Sequence, residues 1–395
     1  MTATYVRDVT VFDGRRAREH IGVLFEDGVI RWVGAQARPP REARAAREIA
    51  GGGRTLTPGL IDCHVHLCFD GEPDFLGEAN VSEAFAAIKC AGNARRHLAA
   101  GTTTVRDLGG FGAVVCDVAR AIDAGRIPGP RVVASARALT ITGGHGWNSI
   151  AQEADGPDAV RAAVREQMRA GARSIKIVAT GGVLTPGVPV DFTAFTPEEI
   201  QAAVDEAHTW GVPIAAHAIG ATGIAQCVRA GIDSIEHGSQ ISAELARQMK
   251  TKGTVHVPTI SALRRIVDHP DDVPAYAVAK GRQILDQARE SFRRVVRAGG
   301  RHACGTDSGT PHNPHGSAPL EVIRMVEWGL PVERALQAAT LNAAELLRVS
   351  GETGTIEPGK AADLVLYGIN PLDDVDALLS PVAVFRAGMR VAGTA

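Results

Sequence analysis

The sequence lacks the features that mark several large classes of protein. Its six cysteines are scattered and form no C-x-x-C pair, which argues against a disulfide framework and against a zinc site made of thiolates. There is no basic block, and the formal net charge is -2 at pH 7, which argues against a nucleic-acid partner. Aromatic residues make up only 4% of the chain, too few to suggest a stacking site.

Long apolar segments are missing as well. The first twenty residues lack the apolar core of a secretory signal and carry charged side chains that include Arg7, Asp8, Asp13, Arg15 and Arg16. No stretch has membrane-spanning length. We therefore expect a cytoplasmic protein without a membrane partner.

What the chain does have is the composition of an ordinary globular protein. It is 45% hydrophobic and 22% charged, so a sizeable buried core is expected. Its 395 residues are enough for two ordinary domains, or for one large α/β barrel with an appendage.

Both ends of the chain contain short apolar runs typical of strands. Near the N-terminus these runs are Val9–Phe12, Ile21–Phe25 and Val29–Val33. The Asp27-Gly28 pair between the last two is a hairpin signal. The segment from Gly354 onward has the same character. We predict one small β-sandwich domain built from residues 1–56 and 354–395, around a second domain of residues 57–353.

The middle of the chain alternates between apolar strand-like runs and helical stretches. The predicted strands are Leu60–Leu67, Thr102–Leu108, Arg131–Leu139, Ser174–Ala179, Pro213–Ala218, Ser234–Gly238, Thr254–Ile260 and Arg301–Thr306. The predicted helices include Val81–Ala100, Pro157–Ala170, Pro197–Trp210, Ser242–Lys252 and Val273–Ala298. An Ala-Gly pair that recurs before strands reads as a helix stop. Eight such units favour a (β/α)8 barrel, and the absence of G-x-G-x-x-G argues against an open dinucleotide-binding sheet.

The segment Thr57–Leu67 organises the candidate chemistry. It reads as a strand that delivers His64 and His66, and alternate residues of a strand point the same way. Imidazole is the commonest metal ligand, so two rings from one strand could form half of a metal site.

Four further polar residues lie at or near the ends of predicted strands, at the face where barrel enzymes keep their active sites. They are Lys176, His217, His237 and Asp307. Any one of them alone is a weak signal, since buried lysines and aspartates also occur in ion pairs and loop caps. Together they suggest a metal-dependent enzyme.

This set resembles the metal-dependent amidohydrolase superfamily, in its form with two metal ions and a carboxylated lysine. The similarity extends to the split β-domain and to the tail phrase Gly354-Thr-Ile-Glu-Pro-Gly-Lys-Ala-Ala-Asp363-Leu. The resemblance implies two divalent ions that share a hydroxide. Zinc is the expected metal, although the ligand types suit manganese and cobalt equally. It also implies a homo-oligomer.

The same resemblance assigns a role to each ligand. His64, His66 and Asp307 would hold the more buried ion, and His217 and His237 would hold the other. Lys176 would bridge both ions as a carbamate formed with carbon dioxide. Burial among Ile175 and Ile177 disfavours a charged ammonium and leaves the neutral amine that carboxylation needs. Asp307 would also act as general base and then general acid.

His145 is the strongest candidate outside the ligand set. It lies in Thr-Gly-Gly-His-Gly-Trp147, and a histidine in a matching phrase faces the substrate in the peptidase-like branch of the superfamily. The branch includes Xaa-Pro dipeptidases, Lys/Arg carboxypeptidases and ochratoxin amidases. Arg106 and Asp107 could be functional or could support the barrel mouth.

The remaining histidines are weaker candidates. His256 is expected in the core, and His312 and His315 are candidates for the pocket wall or for contacts that support the metal ligands. Four others are predicted at surface or helix positions without function: His20, His97, His208 and His269.

The implied reaction is hydrolysis of the amide bond in dipeptides or N-acyl amino acids. Deamination is disfavoured because Gly220 stands where related deaminases have glutamate, and because a single-metal site would leave Lys176 without a duty. Ile219 replaces a polar residue common in the branch, which favours an apolar group in the substrate. Two alternatives remain open: hydrolysis of lactones, cyclic amides or phosphotriesters at the same site, and a catalytically inactive scaffold.

Overall fold

The computed structural model describes residues 3–393, which form seventeen strands and eleven α-helices. The strands are β1 Thr4–Phe12, β2 Ala17–Glu26, β3 Val29–Ala35, β4 Arg47–Ala50, β5 Thr55–Pro58, β6 Leu60–Val65, β7 Thr102–Asp107, β8 Arg131–Ala134, β9 Ala138–Thr140, β10 Ala151–Glu153, β11 Ile175–Val178, β12 Ile214–Ala218, β13 Ser234–His237, β14 Val255–Val257, β15 Leu364–Tyr367, β16 Pro381–Arg386 and β17 Met389–Ala392. The α-helices are α1 Glu83–Ala99, α2 Val114–Asp123, α3 Pro157–Ala170, α4 Pro197–Thr209, α5 Ala221–Ala230, α6 Ala243–Lys252, α7 Ile260–Asp268, α8 Ala275–Ala298, α9 Ala318–Glu327, α10 Val332–Ala338 and α11 Leu341–Leu346.

The two ends of the chain meet in one sheet of eight strands. Its order is β17-β16-β15-β5-β1-β2-β3, and β4 pairs with β1. The predicted hairpin is present between β2 and β3, where Asp27 and Gly28 have φ of 50° and 81°. Two successive residues with positive φ match the twist of a tight hairpin, and Asp-Gly tolerates them. We call this eight-stranded sheet the terminal sheet. The exact bounds of the two domains stay a prediction.

The middle of the chain forms parallel sheets with helices between the strands. One sheet has the order β6-β7-β8, and the other has the order β10-β9-β11-β12-β13-β14. The recurring Ala-Gly pairs predict helix stops, and the glycine of each pair has a positive φ, which suits the left-handed end of a helix. These glycines are Gly101, Gly125, Gly171 and Gly231. The strand order and the alternating helices confirm a mixed α/β fold.

The eighth predicted strand, Arg301–Thr306, is wrong as a regular strand. The segment 301–308 instead makes isolated bridges, His256 to His302 on one side and Val65 to Ser308 on the other. Its backbone still links β14 to β6, since Cys63 N donates to Cys304 O at 2.8 Å. The segment therefore lies between β6 and β14 and contacts both through its backbone.

The third predicted strand, Arg131–Leu139, is also wrong in part, because it divides into β8 and β9. Ala136, between them, has a φ of 59°, which an extended strand cannot accommodate. On the far side of this break, Ala134 O accepts a hydrogen bond of 2.8 Å from Arg173 N, just before β11. This bond connects the end of β8, in one parallel sheet, to the start of β11 in the other.

A buried cluster of charges joins the terminal sheet to the parallel strands. Asp363 Oδ2 accepts a hydrogen bond from Arg131 at 3.0 Å, and Asp363 Oδ1 accepts one from Arg386 at 3.0 Å. The backbone N–H of Ala387 donates to the same Oδ1 at 2.8 Å. Within residues 3–393, no helix combines the length and apolarity needed to cross a membrane.

Candidate metal centre

Strand alternation turns the functional side chains away from the hydrophobic layer. On β11, Ile175 and Ile177 belong to a buried apolar cluster with the surrounding helices, so Lys176 between them faces the other way. On β12, Ala216 and Ala218 belong to that cluster, and His217 faces the opposite side. Lys176 and His217 therefore reach the same cavity.

Alternation alone does not account for His237 or Asp307. His237 has a φ of 66° and Asp307 a φ of 59°, and both values are uncommon for residues other than glycine. Because His237 leaves the strand conformation, it reaches the cavity although its strand neighbour Glu236 also points inward. Left-handed residues of this kind typically cost about 1–3 kcal/mol and cluster at functional sites.

All six predicted ligands line one cavity, together with His145 and Ile219. One ligand atom each from His64, His66 and Asp307 lie within 4.8 Å of one another. Asp307 Oδ1 is 3.4 Å from His64 Nε2 and 3.2 Å from His66 Nε2. The structure thus brings together the three residues that the resemblance assigns to the more buried ion.

The other two histidines lie beside this group. The ring centroid of His237 is 5.3 Å from that of His64 and 4.6 Å from that of His217. The ring of His145 lies next to this pair, with its centroid 4.7 Å from that of His217.

Each of the four histidines gives one ring N–H to the protein. His64 Nδ1 donates to Glu236 Oε2 at 2.8 Å, and His66 Nδ1 donates to Gly109 O at 2.8 Å. His217 Nε2 donates to Gly181 O at 2.8 Å. A carbonyl or carboxylate can only accept, so these bonds fix the tautomer of all three rings.

The fourth ring is fixed through a hydroxyl. His237 Nδ1 is 2.7 Å from Thr259 Oγ1, and that hydroxyl donates its own hydrogen to Pro258 O at 2.8 Å. Thr259 must therefore accept from His237. When a ring of this kind is neutral, its second nitrogen keeps a lone pair, which is the arrangement that metal-ligating histidines show. The donor set consequently fits divalent metal ions.

Burial favours the neutral form of three of these four rings. It lowers the pKa of His64, His217 and His237 well below the usual histidine value. For His66 burial also lowers the pKa, but the hydrogen bond and charge of Asp307 outweigh it and leave the pKa raised. For Asp307 burial raises the pKa, and the neighbouring His64 and His66 outweigh it, so its pKa lies below its usual value.

Lys176 is buried in the same cavity. Burial lowers the pKa of Lys176 from 10.5 to about 8, and this effect exceeds the opposing influence of Glu236 and Asp307. The amine is close enough to His64 and His217 to lower the pKa of both rings. An amine with a depressed pKa is available in its neutral form, which carboxylation requires.

Sequence reasoning did not assign a role to Glu236, whose Oε2 accepts the hydrogen bond from His64 Nδ1. Its other oxygen accepts a hydrogen bond of 2.9 Å from Arg106, and both side chains are fully buried. Arg106 also donates to Cys63 O at 2.7 Å. Arg106 therefore has a structural role, in which it fixes the carboxylate that orients a ligand. The signal available in the sequence was the Glu-His pair at the end of β13.

His145 is held over the cavity by the loop that follows β11. Its Nδ1 is 2.7 Å from Thr185 Oγ1. A β-carbon at Gly182 would lie 2.3 Å from the ring of His145, so only glycine lets this loop approach so closely. Burial, with Lys280 next, lowers the pKa of His145 to about 3, so the ring is neutral.

The remaining histidines lie outside this cavity. His256 is buried and contacts His237 O at 2.9 Å through Nε2, as expected of a core residue. His315 contacts Phe69 O at 2.7 Å, and His312 stacks on His269, so neither lines the cavity wall. His97 lies on α1, a helix position as predicted, and it is fully buried with Nε2 3.0 Å from His315 Nδ1.

Comparisons with known proteins place the chain in a family. The family model for the amidohydrolase family matches residues 55–391. Ochratoxinase from Aspergillus niger is 32% identical over 406 residues, covering 94% of this chain and 82% of the relative. Two solved structures are also similar. A Xaa-Pro dipeptidase with bound methionine in its active site has a TM-score of 0.91 at 31% identity, covering 98% of this chain and 99% of that one. The structure of A. niger ochratoxinase has a TM-score of 0.89 at 29% identity, covering 100% and 96%.

Proposed function

Because the chain belongs to the amidohydrolase family and is a hydrolase, we propose that it cleaves the amide bond of a small N-acyl compound at a centre of two divalent metal ions. Dipeptides and N-acyl amino acids are the first substrate classes to test, given the similarity to an ochratoxinase and a Xaa-Pro dipeptidase. We further propose that segment 301–308 closes the parallel strands into a (β/α)8 barrel.

The observation that carries the proposal is the set of fixed ring tautomers. Four histidines donate one N–H each to the protein, so each ring in its neutral form offers the lone pair of its other nitrogen, beside the Asp307 carboxylate. A network that served only to fill a core would not need four such rings on one cavity. His64, His66 and Asp307 would hold one ion, His217 and His237 the other, and Lys176 as its carbamate would bridge them.

The bound ions would supply a water of lowered pKa and polarise the scissile carbonyl. The residues of the chain would perform the remaining work. Asp307 would accept the proton of the attacking water and deliver it to the leaving nitrogen, the general acid–base role of a carboxylate. His145, which is neutral and held by Thr185, would donate one hydrogen bond to the substrate or accept one from it.

A matched panel of substrates would test the proposed function. Purified protein is assayed with dipeptides and N-acyl amino acids, and in parallel with lactones and paraoxon, before and after chelation and with zinc, manganese or cobalt restored. We expect about two equivalents of metal and turnover of the amides that is lost on chelation. Turnover of lactones or paraoxon alone, or turnover independent of metal, would contradict the proposal.

The bridging role makes a separate prediction for Lys176→Ala. Activity should fall at least about a hundredfold because the second ion loses an anionic ligand, as for other disrupted metal sites. Added acetate or propionate should restore part of it, since a free carboxylate can enter the vacated space. Metal content by mass spectrometry and activity with and without acetate are the measurements. Full activity and full metal content in this variant would rule out the carbamate.

A further inference from the structure

The outer wall of the cavity is apolar. Six of its side chains come from the loop after β11, the end of β12, and helices α7 and α8; they are Val183, Leu184, Ile219, Leu263, Ile266 and Ile284. Ile219 and Ile284 are each 2% exposed and pack in one cluster that Val183 and Leu263 adjoin. Contacts to this wall favour an apolar substrate group through the area removed from water.

Cationic side chains are scarce along the described lining of the cavity. Of the described residues that line it, none is an arginine, and the only lysine is Lys176, which lies among the predicted ligands. A carboxylate at this wall would find no cationic side chain.

Lys280 on α8 could have filled that role, but its ammonium is fully engaged elsewhere. Its Nζ donates to the carbonyls of Gly182, Thr185 and Val188 at 3.1, 2.8 and 2.6 Å. An ammonium has three donors, so none is left for a substrate anion. Tyr276 Oη also donates to Leu184 O, at 2.9 Å. Helix α8 thus fixes the loop that carries Thr185 and the apolar wall.

We infer that the group seated against Ile219 is apolar and uncharged, so that amides whose amine part lacks a free carboxylate are preferred over the matching N-acyl amino acids. This inference rests on the proposed hydrolysis of small N-acyl compounds, and among these it ranks amides without a free carboxylate above dipeptides and N-acyl amino acids. A carboxylate placed at the wall would lose its water without gaining a paired charge, which is unfavourable. An apolar group of the same shape has no charge, so its burial does not carry this cost of lost hydration.

Substrates that differ only by the carboxylate provide the test. N-benzoylphenethylamine and N-benzoylphenylalanine both release benzoate, and acetyl and phenylacetyl pairs repeat the comparison. We expect the phenethylamine amides to have the larger kcat/KM by at least about tenfold. The same order is expected for Kd measured by calorimetry on metal-free protein, a readout that does not depend on turnover.

Variants at position 219 sharpen the test. Ile219→Arg supplies a cation at the wall and should shift the preference toward N-benzoylphenylalanine by about tenfold or more. Ile219→Leu conserves volume and should keep the wild-type preference. Because arginine at a buried position can disturb folding, Leu263→Lys at the less buried edge of the wall serves as a second cationic variant, expected to shift the preference the same way.

The outcomes separate the two proposals. Turnover with a preference for the carboxylate-bearing member of each pair, in wild-type protein, overturns the inference and leaves amide hydrolysis intact. Failure of every pair to be hydrolysed by metal-loaded protein counts against the proposed function, and the inference falls with it.

Discussion

The terminal sheet and the cavity at the ends of the parallel strands treat polar groups differently. The sheet is built from apolar side chains such as Val11, Val23 and Phe385, and its strands pair in mainly antiparallel register. The cavity instead buries a lysine, an aspartate and several histidines, and two of these residues adopt left-handed backbone. One region contributes packing, whereas the other holds polar groups in arrangements that folding alone would not favour.

This difference implies that stability and activity can be perturbed separately. Substitutions in the cavity should reduce turnover with little loss of folding free energy. Substitutions where the terminal sheet joins the parallel strands should do the reverse.

The largest separation is expected for Asp307→Asn. Asparagine has nearly the same shape and tolerates a left-handed φ, so the fold should persist. The proton acceptor and the anionic ligand are lost, so kcat should fall by about a thousandfold or more. Steady-state kinetics and urea unfolding would measure the two effects. A variant with near wild-type kcat would remove Asp307 from the reaction.

The opposite separation is expected for Asp363→Ala. Its carboxylate pairs with Arg131 and Arg386, and its removal leaves both guanidinium groups without their buried partner. The free energy of unfolding should fall by about 3 kcal/mol or more, whereas kcat per folded molecule should not change.

Glu352→Ala is the matched control for that prediction. Glu352 also pairs with Arg131 at 3.0 Å, but its side chain is 55% exposed. Exposed pairs contribute about 1 kcal/mol or less, so this variant should remain close to wild type in urea unfolding. Equal losses in the two variants would contradict the assignment of the stabilisation to the buried Asp363.

A smaller effect is expected for Gly182→Ala. The added β-carbon would lie 2.3 Å from the His145 ring, so the ring or the loop must move. We expect kcat/KM to fall by about tenfold with little change in unfolding, since a small misplacement of a positioning group lowers the rate.

Gly92→Ala, in the interior of α1, makes the same chemical change where no heavy atom lies within 4 Å of the new β-carbon. It should leave kcat/KM unchanged and raise the free energy of unfolding by roughly 0.5–1 kcal/mol, because glycine is a poor helix former. A fall in activity in both glycine variants would show that the loss does not arise from contact with His145.

The sequence by itself determined the family branch and the identity of the residues that share the cavity. The shared direction of His64 and His66 follows from strand alternation. The resemblance to the amidohydrolases is confirmed by the family match, and the branch by the ochratoxinase relative. The Asp27-Gly28 hairpin and the helix stops at Ala-Gly pairs follow from backbone preferences that are local to a few residues.

Only the tertiary structure decided features that depend on distant partners. The segment 301–308 forms isolated bridges between β6 and β14 in place of a regular strand. His97 is buried against His315, a residue far along the chain. Glu236 supports His64, which precedes it by 172 residues. Local propensity and periodicity describe neighbours along the chain, whereas these contacts join residues that only the folded backbone brings together.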